Sequence, residues 1–210
     1  MKEVYKNMVN CTLCGSNNPG KIDFLCDSCY DQLYVENEEI FMKPINLDHL
    51  YAVSSYGGLL KHLIRKFKFH DHRYYAQSFA QLLLNLGMEH DVFSKNQGMI
   101  YVPMTKREVE KRGFNQCREI VLEMKKYLPT IPVLELVDKI KETKPQTYLS
   151  ELDRLENVKG AFQLKGPLPS NVEKILLIDD IYTTGSTLES LAKEIKSKTT
   201  VEIIGLVLGH

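Results

Sequence analysis

The sequence predicts an α/β protein, a parallel sheet flanked by helices, with a small cysteine-rich module in front of it. Three observations lead there. Lys174-Ile175-Leu176-Leu177-Ile178 is a continuous apolar run, the pattern of a strand buried on both faces of a parallel sheet. A loop over 179–187, a helix with Leu188, Leu191, Ala192 and Ile195 inward, and a second apolar run from Val201 to Leu208 follow it. Strand, loop, helix and strand make a βαβ unit, which pairs its strands in parallel through a right-handed crossover. At the other end, Cys11-x2-Cys14 and Cys26-x2-Cys29 stand eleven residues apart.

The remaining elements follow in chain order. Residues 10–30 form the cysteine-rich unit, and Lys43-Pro44 marks a break after an acidic stretch holding Glu36, Glu38 and Glu39. We divide the chain there, into a metal module and linker at 1–45 and an α/β domain at 46–210. Leu60, Leu63, Ile64 and Phe67 recur at helical spacing, so 57–67 reads as a helix. A second helix over 74–86 buries Ala76, Phe79, Ala80 and Leu83. Met99 to Pro103 reads as a strand stopped by the proline, Thr105 to Asn115 as a basic loop, and Gln116 to Leu128 as a helix with Cys117, Ile120, Val121 and Met124 on its apolar face. Cys117 is expected to be a small buried core residue. Residues 138–157 are polar and weakly patterned, a mobile loop, and Val158 to Leu164 a short strand.

Hydrophobic residues make up 43% of the 210-residue chain and charged residues 26%, a globular composition that argues against disorder. No run of about 18 apolar residues occurs, so no membrane span is expected. The start, Met1 to Lys6, lacks the apolar core of a signal peptide, so a cytoplasmic protein is expected. The net charge is zero, but two segments are basic: Lys61, Arg65, Lys66, Lys68 and Arg73, and Lys106, Arg107, Lys111, Arg112 and Arg118.

Each CxxC turn brings two thiolates to one ion, and two such turns complete a tetrahedron. The spacing therefore points to structural zinc on Cys11, Cys14, Cys26 and Cys29, with no open position left for chemistry. The alternative is two loose cysteine pairs with a redox role.

The segment after the buried strand, Asp179-Asp180-Ile181-Tyr182-Thr183-Thr184-Gly185-Ser186-Thr187, has the chemistry of a sugar-phosphate site. Ligands of open α/β sheets bind beyond the carboxyl ends of strands, where a helix N-terminus favours an anion. Gly185 permits close backbone approach. Thr183, Thr184, Ser186 and Thr187 supply hydroxyls, and Asp179 and Asp180 can hold ribose hydroxyls, directly or through magnesium and water. A plain helix cap accounts for one hydroxyl, not for two adjacent acids and a run of hydroxylic residues.

This segment resembles the phosphoribosyl pyrophosphate (PRPP) motif of type I phosphoribosyltransferases. The resemblance implies that fold, with Asp179 and Asp180 on the ribose, Thr183 to Thr187 on the 5-phosphate, and magnesium accompanying PRPP. Nearly the whole chain is similar to the ComF (ComFC) competence family: the CxxC pairs, Val102-Pro103 leading to Arg112-Gly113-Phe114-Asn115-Gln116, Thr143-Lys144-Pro145-Gln146, Arg154-x2-Asn157-x4-Phe162, and the loop above. That resemblance implies a role in natural transformation, handling incoming single-stranded DNA beside a helicase partner. It also places the pyrophosphate-binding cations on Lys106, Arg107 and Arg112, although a solvated basic loop explains those residues as well.

Lys61, Arg65 and Lys68 recur on one helix face and suit nucleic-acid phosphates, with Tyr74 and Tyr75 able to stack bases. A solvated helix face with its tyrosines packed inward is the competing reading. His62, His70 and His72 lie nearby without a ligand spacing. In an active transferase, 138–157 would close as a lid, carrying Lys144, Gln146 and the further catalytic candidate Arg154. The sequence ends at His210, directly after the last apolar run, where nucleobase transferases carry more chain. A PRPP-binding protein for DNA uptake is therefore expected over a nucleobase-synthesising enzyme; a magnesium-dependent transferase acting on a nitrogen acceptor is the alternative.

Overall fold

The structure is a computed structural model, which describes residues 10–11, 13–17, 20, 25–41, 45–68, 72–142 and 158–210. Lys144, Arg154, His70 and the 143–157 portion of the expected loop lie outside the described residues. In chain order the elements are α1 (Asp27–Asp31), β1 (Glu38–Glu39), β2 (His49–Ser54), α2 (Gly58–Phe67), α3 (Tyr75–Glu89) and β3 (Gln97–Tyr101). They continue with α4 (Lys106–Arg112), α5 (Gln116–Tyr127), β4 (Val137–Lys139), β5 (Phe162–Leu164), β6 (Lys174–Ile181), α6 (Ser186–Lys196) and β7 (Glu202–Gly209).

The central sheet has the order β1-β2-β7-β6-β3. β2, β7, β6 and β3 pair in parallel and β1 is antiparallel at one edge. The α/β class with a mostly parallel sheet flanked by helices is therefore as the sequence indicates. Period-two alternation divides each strand between two cores. Leu176 and Ile178 of β6 face one cluster with Ile204, Leu206 and Leu208 of β7 and the apolar faces of α2, α3 and α5. Ile175 and Leu177 face the other, with Ile203, Val207 and the inward residues of α6. β2 was not legible: Leu50-Tyr51-Ala52-Val53 is too short an apolar run to assign, yet every residue of the strand except His49 is buried.

Four expectations need correction. The stretch 105–115 is not a loop: it holds helix α4, opened by a capping box. Thr105 Oγ1 accepts from Glu108 N at 3.2 Å and Glu108 Oε2 accepts from Thr105 N at 2.8 Å. These bonds satisfy backbone donors that a loop would leave to water. Residues 138 and 139 belong to β4, which pairs antiparallel with β5, and the strand expected over 158–164 is confined to Phe162–Leu164. β6 runs through both aspartates to Ile181 and α6 starts at Ser186, so the loop after the strand is only Tyr182 to Gly185.

The N-terminal module rests on the α/β body. Cys11, Leu25, Cys26, Cys29 and Leu33 are buried in the same cluster as Tyr75, Ala76 and Phe79 of α3. Among the described residues no helix is long and apolar enough to cross a membrane.

Candidate functional site

β6 delivers two acids to the carboxyl rim of the sheet. Its last pair with β3 is Ile178 with Tyr101, while pairing with β7 continues through Asp179 with Val207 and Ile181 with Gly209. Asp179 and Asp180 therefore stand just past the end of β3. Asp179 is 8% exposed. Its Oδ1 accepts from the backbone N–H of Asp180 at 2.8 Å and from the Cys117 thiol at 3.4 Å. Burial, with the neighbouring Asp180 charge, raises the Asp179 carboxyl to about 7. Asp180 Oδ2 is 2.7 Å from Lys68 Nζ.

The segment Arg112 to Cys117 forms one wall. Gly113 ends α4 at φ 92°, a left-handed conformation that suits glycine, and its carbonyl accepts from Arg73 at 2.8 Å. Phe114 is buried, its ring centroid 5.6 Å from that of Phe67. Asn115 caps α5 by accepting from Arg118 N at 3.1 Å, and its amide donates to Val102 O at 2.9 Å. Cys117 is buried as expected, but against Asp179 rather than in a purely apolar core, and burial pushes its thiol up.

The turn from Tyr182 to Gly185 follows the acids on the other side. Tyr182 N donates to Gly209 O at 2.8 Å, which holds the loop to the end of β7. Gly185 has φ 72°, and a Cβ there would collide with the Tyr182 phenol. Thr184 Oγ1 lies 3.2 Å from Ser186 Oγ, Ser186 is buried, and Thr183 is exposed. Gly185 carries no capping side chain into the first turn of α6, a positive helix end that suits an anion.

The cations separate into groups that the sequence did not distinguish. Arg112 donates to Gln116 Oε1 at 2.7 Å and stands close enough to Lys68 for their charges to oppose. Arg107 is turned to Glu142 at 3.1 Å, and Lys106 is exposed. Lys61 and Arg65 do lie on an open face: with Gly58, His62 and Lys66 they line a shallow cavity of about 360 Å³. Lys61 Nζ sits 5.6 Å above the Tyr56 ring. Lys68 is not on that face with them, because its ammonium reaches Asp180. Tyr75 is buried and stacked with His72, whereas Tyr74 is 44% exposed.

The Cys11, Cys14, Cys26 and Cys29 sulfurs lie within 4.8 Å of one another. Tetrahedral zinc with bonds of about 2.3 Å sets its sulfurs about 3.8 Å apart, and Cys14 Sγ is 3.7 Å from Cys26 Sγ. Gly15, at φ 75°, turns the first knuckle, and its N–H donates to Cys11 O at 2.8 Å. Hydrogen bonding to Ser16 lowers the Cys14 thiol to about 6. The residues fit a structural metal such as zinc. Magnesium held directly by the aspartates fits poorly, since the Lys68 ammonium already covers Asp180. A third constellation was not legible at all: Glu36, Glu38 and His210 also place ligand atoms within 4.8 Å of one another.

No family model matches the chain. It is 29% identical to Competence protein F of Haemophilus influenzae over 163 residues, 74% of this chain and 70% of that protein. It is 31% identical to DNA utilization protein YhgH of Escherichia coli strain K12 over 157 residues, 72% and 67% of the two chains. Competence protein ComFC of Bacillus subtilis matches at 25% over 186 residues, 87% and 70%. With this likeness spanning both partners, the chain belongs to the ComF/ComFC family.

Proposed function

We propose that the protein serves competence or DNA utilization by binding a phosphorylated pentose, PRPP or a close relative, at the β6 rim while handling incoming single-stranded DNA. The relatives' names support the DNA role. The observation that carries the ligand reading is the juxtaposition of two acids at the end of a buried strand with a hydroxyl-lined turn closed by Gly185. The acids suit ribose hydroxyls, and the turn with the start of α6 suits the 5-phosphate. Arg112 is the cation best placed for the diphosphate, and magnesium would arrive as the counter-ion of that diphosphate. Lys61 and Arg65 offer an open basic face for DNA phosphates, reached from the cytoplasm beside a helicase.

Calorimetric titration with PRPP tests the reading. Asp179→Asn with Asp180→Asn should weaken binding by at least about tenfold, the size of one lost charge-assisted hydrogen bond. Unchanged affinity would put the ligand elsewhere. Pyrophosphate release in the same samples, with DNA and nitrogen acceptors present, separates turnover from binding.

A further inference from the structure

We infer that Lys68 is the resident counter-cation of the acid pair, its ammonium standing where a divalent ion would sit, so that this site selects a vicinal diol and not a metal ion. The inference rests on reading the β6 rim as the sugar site.

The position of Lys68 is built, not incidental. It follows Phe67, which is fully buried with its ring centroid 5.2 Å from that of Phe79 and 5.6 Å from that of Phe114. Its own N–H donates to Ile64 O at 3.3 Å, so the helical path is kept through residue 68. A cation at a helix C-terminus is also favoured by the helix dipole. Pinned in this way, the ammonium reaches Asp180 Oδ2 at 2.7 Å, with 31% of the lysine side chain and 13% of the aspartate side chain exposed. Burial works against the charged lysine, but the Asp180 carboxylate outweighs it and the net direction is up.

The local charge count then argues against a metal. Lys68 acts on both acids, on Asp180 by direct contact and on Asp179 through its charge, and Arg112 adds a second positive group close enough to oppose Lys68. Arg112 is itself held in place by Gln116. A divalent ion would meet two positive groups and would have to displace an ammonium tethered to the fold. Magnesium also sheds its water reluctantly. A sugar hydroxyl pair, by contrast, can donate to the carboxylates without disturbing the ion pair.

The test uses the full-length, zinc-loaded protein with ribose 5-phosphate and manganese(II) as separate probes in calorimetry. Wild type and Lys68→Arg should bind ribose 5-phosphate in magnesium-free buffer, with affinity changing less than about twofold when magnesium is added. Lys68→Met should lose about tenfold in magnesium-free buffer, because Asp180 then repels the anionic ligand, and should recover with magnesium. It should also gain a manganese site that vanishes when Asp180→Asn is added. Manganese binding by wild type that Asp180→Asn abolishes would overturn the inference, as would sugar binding in Lys68→Met that ignores magnesium. The wild-type titrations decide the matter even if Lys68→Met fails to fold. Should manganese behave as stated while ribose 5-phosphate binds no variant under any condition, the counter-cation role stands and the sugar reading falls.

Discussion

The Asp179 carboxyl is cut off from water and shares its space with a second acid. Its folded value, about 7, lies above the ordinary 3.8, so the folded chain holds this proton more tightly than the unfolded chain does. That contribution is fully present below the unfolded value and is lost as pH rises through about 7. Asp179→Asn, which mimics the protonated acid, should therefore nearly match wild-type stability at about pH 4 or below and exceed it near about pH 8, by a few kcal/mol in order of magnitude. Denaturant melts at the two values check this; a gap that does not widen with pH would mean Asp179 is hydrated. The two acids were legible as a motif. The thiol of Cys117 was not, because it lies 62 positions away in the chain and only the fold brings it to Asp179.

At the scale of elements, α4 shows how charge can mask a helix. Lys106-Arg107-Glu108-Val109-Glu110-Lys111-Arg112 has no apolar stripe, and none of its residues is buried. The readable signal was Thr105 followed three residues later by Glu108. Thr105→Ala should cost about 1 kcal/mol, seen as a lower urea midpoint with unchanged slope. No loss would mean that packing of the flanking chain, not the cap, holds α4. Lys68 teaches a related lesson about α2. Spacing alone puts it on the outer face with Lys61 and Arg65, but a side chain that long just past a helix end answers to the nearest acid. Asp180, from a strand 112 residues later, is that acid.

Across the whole molecule, the cysteine module and the α/β body are joined through one buried cluster that includes Cys11, Cys26, Cys29 and Tyr75. The proposed division at 45/46 then makes two sequence units whose stabilities are linked. Stripping zinc with a chelator should lower the melting temperature of the entire chain in one transition. A body transition that stays put after chelation would show the units to be independent. The open basic face gives a second measurement. Lys61→Ala with Arg65→Ala should weaken single-stranded DNA binding and reduce the slope of log affinity against log salt by about 1.4, two cations at about 0.7 each. An unchanged slope would remove α2 from the DNA contact.

The α/β class, the four-cysteine module, and the acids and hydroxyls of the β6 rim can all be read from the residues in order. Each is written in local spacing: period-two and helical apolar patterns, paired CxxC turns, and a turn chemistry confined to a few consecutive residues. Which charges meet is set by the folded chain. It turned Lys68 onto Asp180, set Cys117 beneath Asp179, paired Arg107 with Glu142 and gathered Glu36, Glu38 and His210. Such pairings depend on strand order and helix ends, and electrostatic partners follow distance in space rather than along the chain.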